Sequence, residues 1–272
     1  MMFFKNYSKP GKGVKKRDPN QPRYKIYFEI LPRNLWRLFK LNLLYLLTLL
    51  PFFVVTMIVM DFLSRQIVVR VISNLSIDTF IRYNFLINVI LSFLFTVFLG
   101  QGPVTAGMTY VVREFGNEKP CWLISDFFER VKLNFKQGMV MWVFDLIIMC
   151  GGTVAVLFCF GLKKYMFASI MISNIMIYIL AHIYIYQIMI TYKLKLRHVF
   201  KNAVLIVLSK LPQSILFLMS LLFVYVVLPI LVTLYGNVIL FTIMVIIEIA
   251  FMPTLTAFTL NFCVYPILKK LC

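Results

Sequence analysis

The stretch that decides the fold is LGQGPVTAGMTYVVREFGNEKPCWLISDFFERVKLNFKQG, from Leu99 to Gly138. An apolar run ends in it at a Gly-Pro break, an amphipathic segment follows, and another apolar run begins where the stretch stops. We expect Gly100, Gly102 and Pro103 to interrupt a helix and to let a neighbouring helix approach closely, because small residues permit close packing between membrane helices. This pattern is typical of a multi-pass membrane protein.

The composition of the chain indicates lipid as its solvent. The 272 residues are 61% hydrophobic, with a mean hydropathy of +0.89, whereas soluble domains are close to half apolar. Several apolar runs exceed the ~20 residues that a membrane-spanning helix needs. The sequence therefore predicts an all-α fold: a flexible basic tail over 1–23, then a single transmembrane domain over 24–272 with about six spans in three hairpins. The predicted spans are 41–62, 83–112, 138–162, 165–192, 207–235 and 238–264.

The net charge of +18 follows this topology. With these spans, 23 of the 28 Lys and Arg residues fall on one side of the membrane and 5 on the other. Because basic residues stay on the cytoplasmic face during insertion, both termini are predicted to be cytoplasmic, and residues 64–82 to be external or packed in the membrane. The basic side would attract anionic lipids of the bilayer. No soluble domain interleaves basic and aromatic residues, so nucleic acid is not an expected partner.

The second half of the opening stretch has the period of an amphipathic helix. One face of this predicted helix is apolar and carries Ile124, Phe127, Phe128, Val131 and Phe135. Residues 24–40 mix aromatic and basic side chains and are likewise predicted to lie in the headgroup region. For the helix at 122–137 two interpretations stay open. It lies along the cytoplasmic surface of the membrane, or it docks into the groove of a cytoplasmic partner, which would accept the same stripe.

Three ionisable residues fall deep within predicted spans: Asp145, His182 and Glu248. A charge in the bilayer costs ~2.5–3.5 kcal/mol on insertion scales and marks a functional site by default. These residues predict either a polar site for a cation, a proton or a polar solute, or three separate neutral groups hydrogen-bonded to neighbouring helices. The sequence has no metal-ligand spacing and no catalytic motif, so we expect neither a metal or other cofactor nor enzymatic activity.

Five stretches, taken in order, resemble the YesL family of bacterial integral membrane proteins, a family of unknown function. They are NLLYLLTLLP (42–51), GPVTAGMTYVVREF (102–115), WLISDFFERVKLNFKQ (122–137), LKLRHVFKNAVL (194–205) and NFCVYPILKK (261–270). The chain departs from relatives at Lys193, where similar proteins often carry an acid.

The resemblance implies a multi-pass protein of the bacterial cytoplasmic membrane. Because relatives are often encoded near carbohydrate uptake systems, it also implies a non-enzymatic accessory or scaffold role beside a sugar-transporter complex. The alternative is a small transporter or channel whose intramembrane polar site is formed by Glu248, Asp145 and His182.

Overall fold

The structure, a computed structural model, describes residues 21–71, 88–89, 92–96, 99–192, 194–234, 236 and 238–270. The predicted tail up to residue 20 and the predicted external segment from residue 72 onward lie outside these residues. Every regular element in the described ranges is helical, as predicted. The elements are α1 (Arg23–Val71), α2 (Pro103–Gly116), α3 (Leu123–Leu133), α4 (Phe135–Gly161), α5 (Tyr165–Thr191), α6 (Leu196–Ser209), α7 (Leu211–Leu222), a π-helical turn (Phe223–Val227), α8 (Leu228–Leu234) and α9 (Val238–Lys270).

Four helices in the described part of the chain are long and apolar enough to cross a membrane. They are Arg23–Phe62, Tyr165–Thr191, Leu211–Leu234 and Ile239–Lys269. The range predicted for the third span is occupied by α4, a helix of 27 residues. Large apolar side chains point outward from these helices; Leu47 is 69% exposed and Ile239 is 72% exposed. Such surfaces are stable where lipid replaces water, so the chain is a helical membrane protein.

Two predicted boundaries differ from the structure because a helix continues or stops where hydropathy alone gives no signal. Residues 24–40 are not a separate surface segment; they form the start of α1, which continues through Pro32 and Pro51. The predicted span 207–235 is divided at Lys210, between α6 and α7. Pro212 lacks the N–H that would continue α6, and a proline is tolerated in the first turn of the next helix.

The short helix α2 lies at the centre of the packing, with twelve of its 14 residues buried. A Cβ atom added at Gly107 would lie 2.6 Å from Val131 Cγ2 and 3.0 Å from the Phe127 carbonyl oxygen, so α3 rests directly on α2. A Cβ atom added at Gly138 of α4 would lie 2.5 Å from the Pro103 nitrogen. Glycine therefore brings two neighbouring helices against the backbone of α2.

The break before α2 is a built turn. Gly100 and Gly102 have φ angles of +74° and +57°, in the left-handed region that favours glycine. The Gln101 N–H donates to Thr105 Oγ1 at 2.6 Å, and the Gly102 N–H donates to the Tyr186 hydroxyl at 3.1 Å. The turn thus interrupts the predicted second span without leaving these two donors unpaired.

Two prolines in α9 free carbonyl groups, and α1 supplies the donors that bond them. Pro253 and Pro266 cannot bond the carbonyls four residues earlier, at Ile249 and Phe262. Asn42 Nδ2 donates to the Ile249 oxygen at 2.8 Å, and Arg23 Nη2 donates to the Phe262 oxygen at 3.3 Å. Because lipid offers no replacement donor, these bonds fix the register of α1 against α9.

One end of the bundle gathers the helix ends that carry basic residues. The loop after α2 pairs with the start of α1 through Glu118 and Arg33 at 3.4 Å. The end of α2 bonds the end of α5 through Arg113 Nη1 and Thr191 Oγ1 at 2.8 Å. The Tyr192 hydroxyl donates to the Leu268 carbonyl oxygen at 3.1 Å and joins the end of α5 to the end of α9. We refer to this side as the basic end.

The register bond between Asn42 and Ile249 gives the first prediction. Asn42→Leu, which keeps the branched shape and the number of side-chain heavy atoms, should lower the free energy of unfolding by about 1–2 kcal/mol, because it leaves the Ile249 carbonyl without a donor. Pro253→Ala restores an N–H to that carbonyl, so in this background the same substitution should cost much less. Denaturation by sodium dodecyl sulfate in mixed micelles measures both values.

The control for this comparison is Pro266→Ala, which restores an N–H to a different carbonyl, that of Phe262. In that background Asn42→Leu should keep its full cost. An equal cost in all three backgrounds would contradict the pairing between Asn42 and the proline-freed carbonyl.

Candidate functional site

A buried carboxylate joins α4 to α5. Asp145 is completely buried, and its Oδ1 accepts hydrogen bonds from the Tyr178 hydroxyl and from His182, whose Nε2 lies 2.7 Å away. Tyr178 and His182 are one helical turn apart on α5, so both reach the same oxygen. The structure therefore brings together two of the three ionisable residues that the sequence singled out.

His182 also lines a central cavity of about 430 Å³. This volume lies in the range of about 300–1,000 Å³ that is typical of small-molecule sites. The wall is mostly apolar and comes from α1, α2, α5, α7, the π-helical turn, α9 and the residues before the Gly100 turn. Asp145 stands behind His182, fixing the imidazole that faces the cavity.

A few polar groups interrupt the apolar wall. The hydroxyls of Tyr45 and Thr105 lie 3.3 Å apart, and those of Tyr225 and Thr256 lie 3.2 Å apart. Gln187 is 5% exposed, and its Oε1 has no hydrogen-bond partner among the described residues. An unpaired buried acceptor costs free energy. A ligand with an N–H or O–H group could remove that cost.

Irregular backbone borders the cavity at two places. Gly100, in the turn before α2, is one lining residue. Tyr225, at the centre of the π-helical turn, is another. A non-helical turn at membrane depth is tolerated where protein buries it or where it lines a cavity, and π-helical turns are frequent at functional sites.

Glu248 does not join the Asp145–His182 pair. It lies on α9, is 7% exposed, and its Oε1 has no hydrogen-bond partner in the described ranges. The next residue of α9, Ile249, lines the central cavity. Of the three residues predicted to form a polar site, Asp145 and His182 are thus in contact, whereas Glu248 lies on another helix.

The predicted apolar stripe of 122–137 is divided. Phe127 is completely buried against α2, and Val131 packs in the same cluster. Ile124, Phe128 and Phe135 are exposed. A turn at Asn134 separates α3 from α4 and places Phe135 on the second helix. The exposed remainder of the stripe is therefore smaller than one continuous helical face.

Sequence reasoning missed the tyrosines of the site. Tyr178, His182 and Tyr186 recur every four residues of α5, which places them on one helix face. This spacing within an apolar span was a readable signal. Tyr45 and Tyr225 carried no such signal, because only the packing of α1 and the π-helical turn brings them to the cavity.

In a comparison with protein-family models, residues 81–157 match the family described as "Protein of unknown function, DUF624". The matched segment holds the Gly100 turn, α2, α3, most of α4 and Asp145, whereas His182 and Glu248 lie beyond it. Searches of curated proteins and of solved structures found no match. The prediction that the chain resembles a family of unknown function is thereby confirmed, and the family name YesL stays a prediction.

The contrast between the two buried acids gives the second prediction. Asp145→Leu should lower the free energy of unfolding by about 3–5 kcal/mol, because it leaves the buried His182 and Tyr178 without their hydrogen-bond acceptor. Glu248→Leu should be neutral or stabilising, because it removes a buried oxygen that lacks a partner. Detergent denaturation compares the two variants; equal losses of stability would contradict the different roles assigned to them.

Proposed function

We propose that this protein is a non-enzymatic membrane protein that binds a small solute in the central cavity, as a small transporter or channel does. The observation that carries the proposal is the interrupted helix: the turn at Gly100 lines the cavity beside His182. Broken helices that line a cavity are the usual binding elements of membrane transporters. The bond from Gly102 N–H to the Tyr186 hydroxyl ties this turn to α5.

The chemistry of the wall defines the solute. A carbohydrate would need many hydrogen-bonding partners, whereas this wall is mostly apolar. The better fit is a compact apolar molecule with one donor group, which Gln187 Oε1 would accept. Oriented by Asp145, His182 offers its remaining ring nitrogen, Nδ1, as a second polar partner.

The position of the cavity along α1 supports an intramembrane site. Tyr45 to Phe53 line it, and they lie about 7–20 Å beyond Lys40 at 1.5 Å per residue. The bilayer core is about 30 Å thick, so the cavity lies within it. The gathering of basic residues at one end supports both termini in the cytoplasm, with six spans in three hairpins across a bacterial cytoplasmic membrane.

The absence of enzymatic activity is also part of the proposal. His182 bonds the Asp145 carboxylate, which also accepts from the Tyr178 phenol, rather than a serine or cysteine nucleophile. Burial raises the pKa of the Cys121 thiol to about 12, and Asp126 adds to this rise. A thiol with this pKa stays protonated at neutral pH and is a poor nucleophile.

A pair of tryptophan substitutions tests the cavity. Leu46 lines the cavity, whereas Leu47 is the next residue of α1 and points outward. In nanodiscs, 4-methylphenol should raise the thermal unfolding midpoint of the wild type and of Leu47→Trp, because a ligand that binds the folded state stabilises it. Leu46→Trp should abolish the rise, because the indole fills the space.

Toluene is the matched probe without a donor group and should have a weaker effect than 4-methylphenol. An identical response of the wild type and Leu46→Trp to 4-methylphenol would refute the cavity as a binding site.

A second function is favoured by the surface near the basic end. Trp122 is 81% exposed and continues the exposed apolar residues Ile124 and Phe128. This surface suits an accessory or scaffold role in which α3 docks onto a sugar-transporter complex. Recovery of a transporter subunit with the wild type and Glu129→Gln, but not with Phe128→Gln, would favour this role over membrane anchoring alone.

A further inference from the structure

A second cavity lies at the basic end, apart from the central one. Its volume is about 250 Å³, and it is enclosed by the start of α1, the end of α2 and the last turns of α9. The lining is mainly polar. The side chains that matter for its chemistry are Arg23, Arg113, Asn117, Asn261, Phe262 and Tyr265.

Both arginines are held in place by the surrounding protein. Arg113 donates to Thr191 Oγ1 at 2.8 Å, and its guanidinium lies 5.6 Å from the centre of the Tyr265 ring. Arg23 donates to the Phe262 carbonyl oxygen at 3.3 Å and lies over the Phe262 ring. A guanidinium has five N–H donors, so the Arg23 bond to Phe262 leaves others for a ligand.

An unpaired acceptor completes the site. Asn261 is 2% exposed; its Nδ2 donates to the Ala257 carbonyl, but its Oδ1 has no partner in the part of the chain that the structure describes. Burying such an oxygen costs free energy unless a donor reaches it. The lining residues of the same cavity therefore include two cationic donors, Arg23 and Arg113, and one residue with an unpaired neutral acceptor, Asn261.

The charge around the cavity favours an anion. Arg23 and Arg113 line it, and no Asp or Glu is among its described lining residues. Arg113 contacts the carboxylate of Glu114, which lies 3.5 Å from Arg113 and 3.8 Å from Lys119. One carboxylate is thus shared between two cations, and Arg23 adds a third positive charge.

We propose that this basic-end cavity binds a phosphate ester that carries a free hydroxyl group. The phosphate oxygens accept from Arg23 and Arg113, since guanidinium groups match phosphate geometry, and the hydroxyl donates to Asn261 Oδ1. Such a group occurs in a glycerol-phosphate lipid headgroup and in a soluble glycerol phosphate. The position of the cavity at the cytoplasmic end of the proposed topology makes both sources accessible.

The test adds one carboxylate inside the cavity and one outside it. Asn117 lines the cavity, whereas Asn134 ends α3 at the same end of the molecule. Both residues follow a helix with nearly the same backbone angles, φ −90° and −100°. Asn117→Asp and Asn134→Asp therefore change the net charge equally and each place it directly after a helix, Asn134 also preceding α4, but only the first opposes an anion in the cavity.

Two probes distinguish the source of the ligand. Native mass spectrometry counts phosphatidylglycerol retained by full-length protein from mixed-lipid nanodiscs, and isothermal titration measures glycerol 3-phosphate binding in neutral-lipid nanodiscs. For at least one probe, Asn117→Asp should weaken binding about tenfold or more relative to the wild type, with Asn134→Asp unchanged. If only phosphatidylglycerol retention shows this pattern, the lipid headgroup is the source of the ligand. If only glycerol 3-phosphate binding shows it, the soluble ester is the source.

Equal weakening by the two variants would mean diffuse attraction to the basic end, and it would overturn the site; so would no binding of either probe. The unfolding midpoint in neutral-lipid nanodiscs shows whether Asn117→Asp is folded. If Asn117→Asp is unfolded, Arg23→Lys becomes the test variant and Arg33→Lys becomes its control. Arg23→Lys removes the planar fork at the cavity and should weaken binding, whereas Arg33→Lys should leave binding unchanged because Arg33 is not among the lining residues.

Discussion

Backbone groups that glycine and proline set free in an apolar environment are the constraint on which this fold depends. Lipid offers no hydrogen bonds, so each freed N–H or C=O needs a partner from the protein. The Gly102 N–H finds the Tyr186 hydroxyl, and the Ile249 carbonyl finds Asn42. Each partner comes from a different helix, and these bonds therefore decide how the helices are placed.

The same constraint explains the location of the central cavity. The turn at Gly100 cannot face lipid, so α1, α5, the π-helical turn and α9 surround it. Tyrosine suits this position because its ring packs as an apolar group while its hydroxyl reaches a polar partner. Tyr45, Tyr186 and Tyr225 all have this role, and each hydroxyl bonds a polar group of another element. The tyrosines thus give structural support, whereas the proposed ligand contacts are His182 and Gln187.

The sequence predicted the class of the fold because hydropathy and helical period are local properties. It predicted the interruption at Gly100–Pro103 for the same reason: glycine and proline act on their own backbone. It missed the continuity of α1 through residues 24–40, since basic and aromatic residues at a helix start look the same as those of a surface helix.

The candidate site was less accessible from sequence. Asp145 and His182 were found because charge within an apolar span is conspicuous, but their contact depends on the packing of α4 against α5. Glu248 was equally conspicuous and lies elsewhere. Arg23 and Asn261 gave no signal, because each is an ordinary residue near a helix end until α1 and α9 pack together.

The central claim is that a side chain from α5 satisfies the freed amide of the turn and thereby holds the cavity in place. Hydrogen–deuterium exchange at the Gly102 amide tests this claim directly, because exchange reports local opening. The amide should be strongly protected in the wild type and should exchange much faster in Tyr186→Phe, with the amides in the middle of α9 unchanged. Equal protection of Gly102 in both proteins would contradict the account.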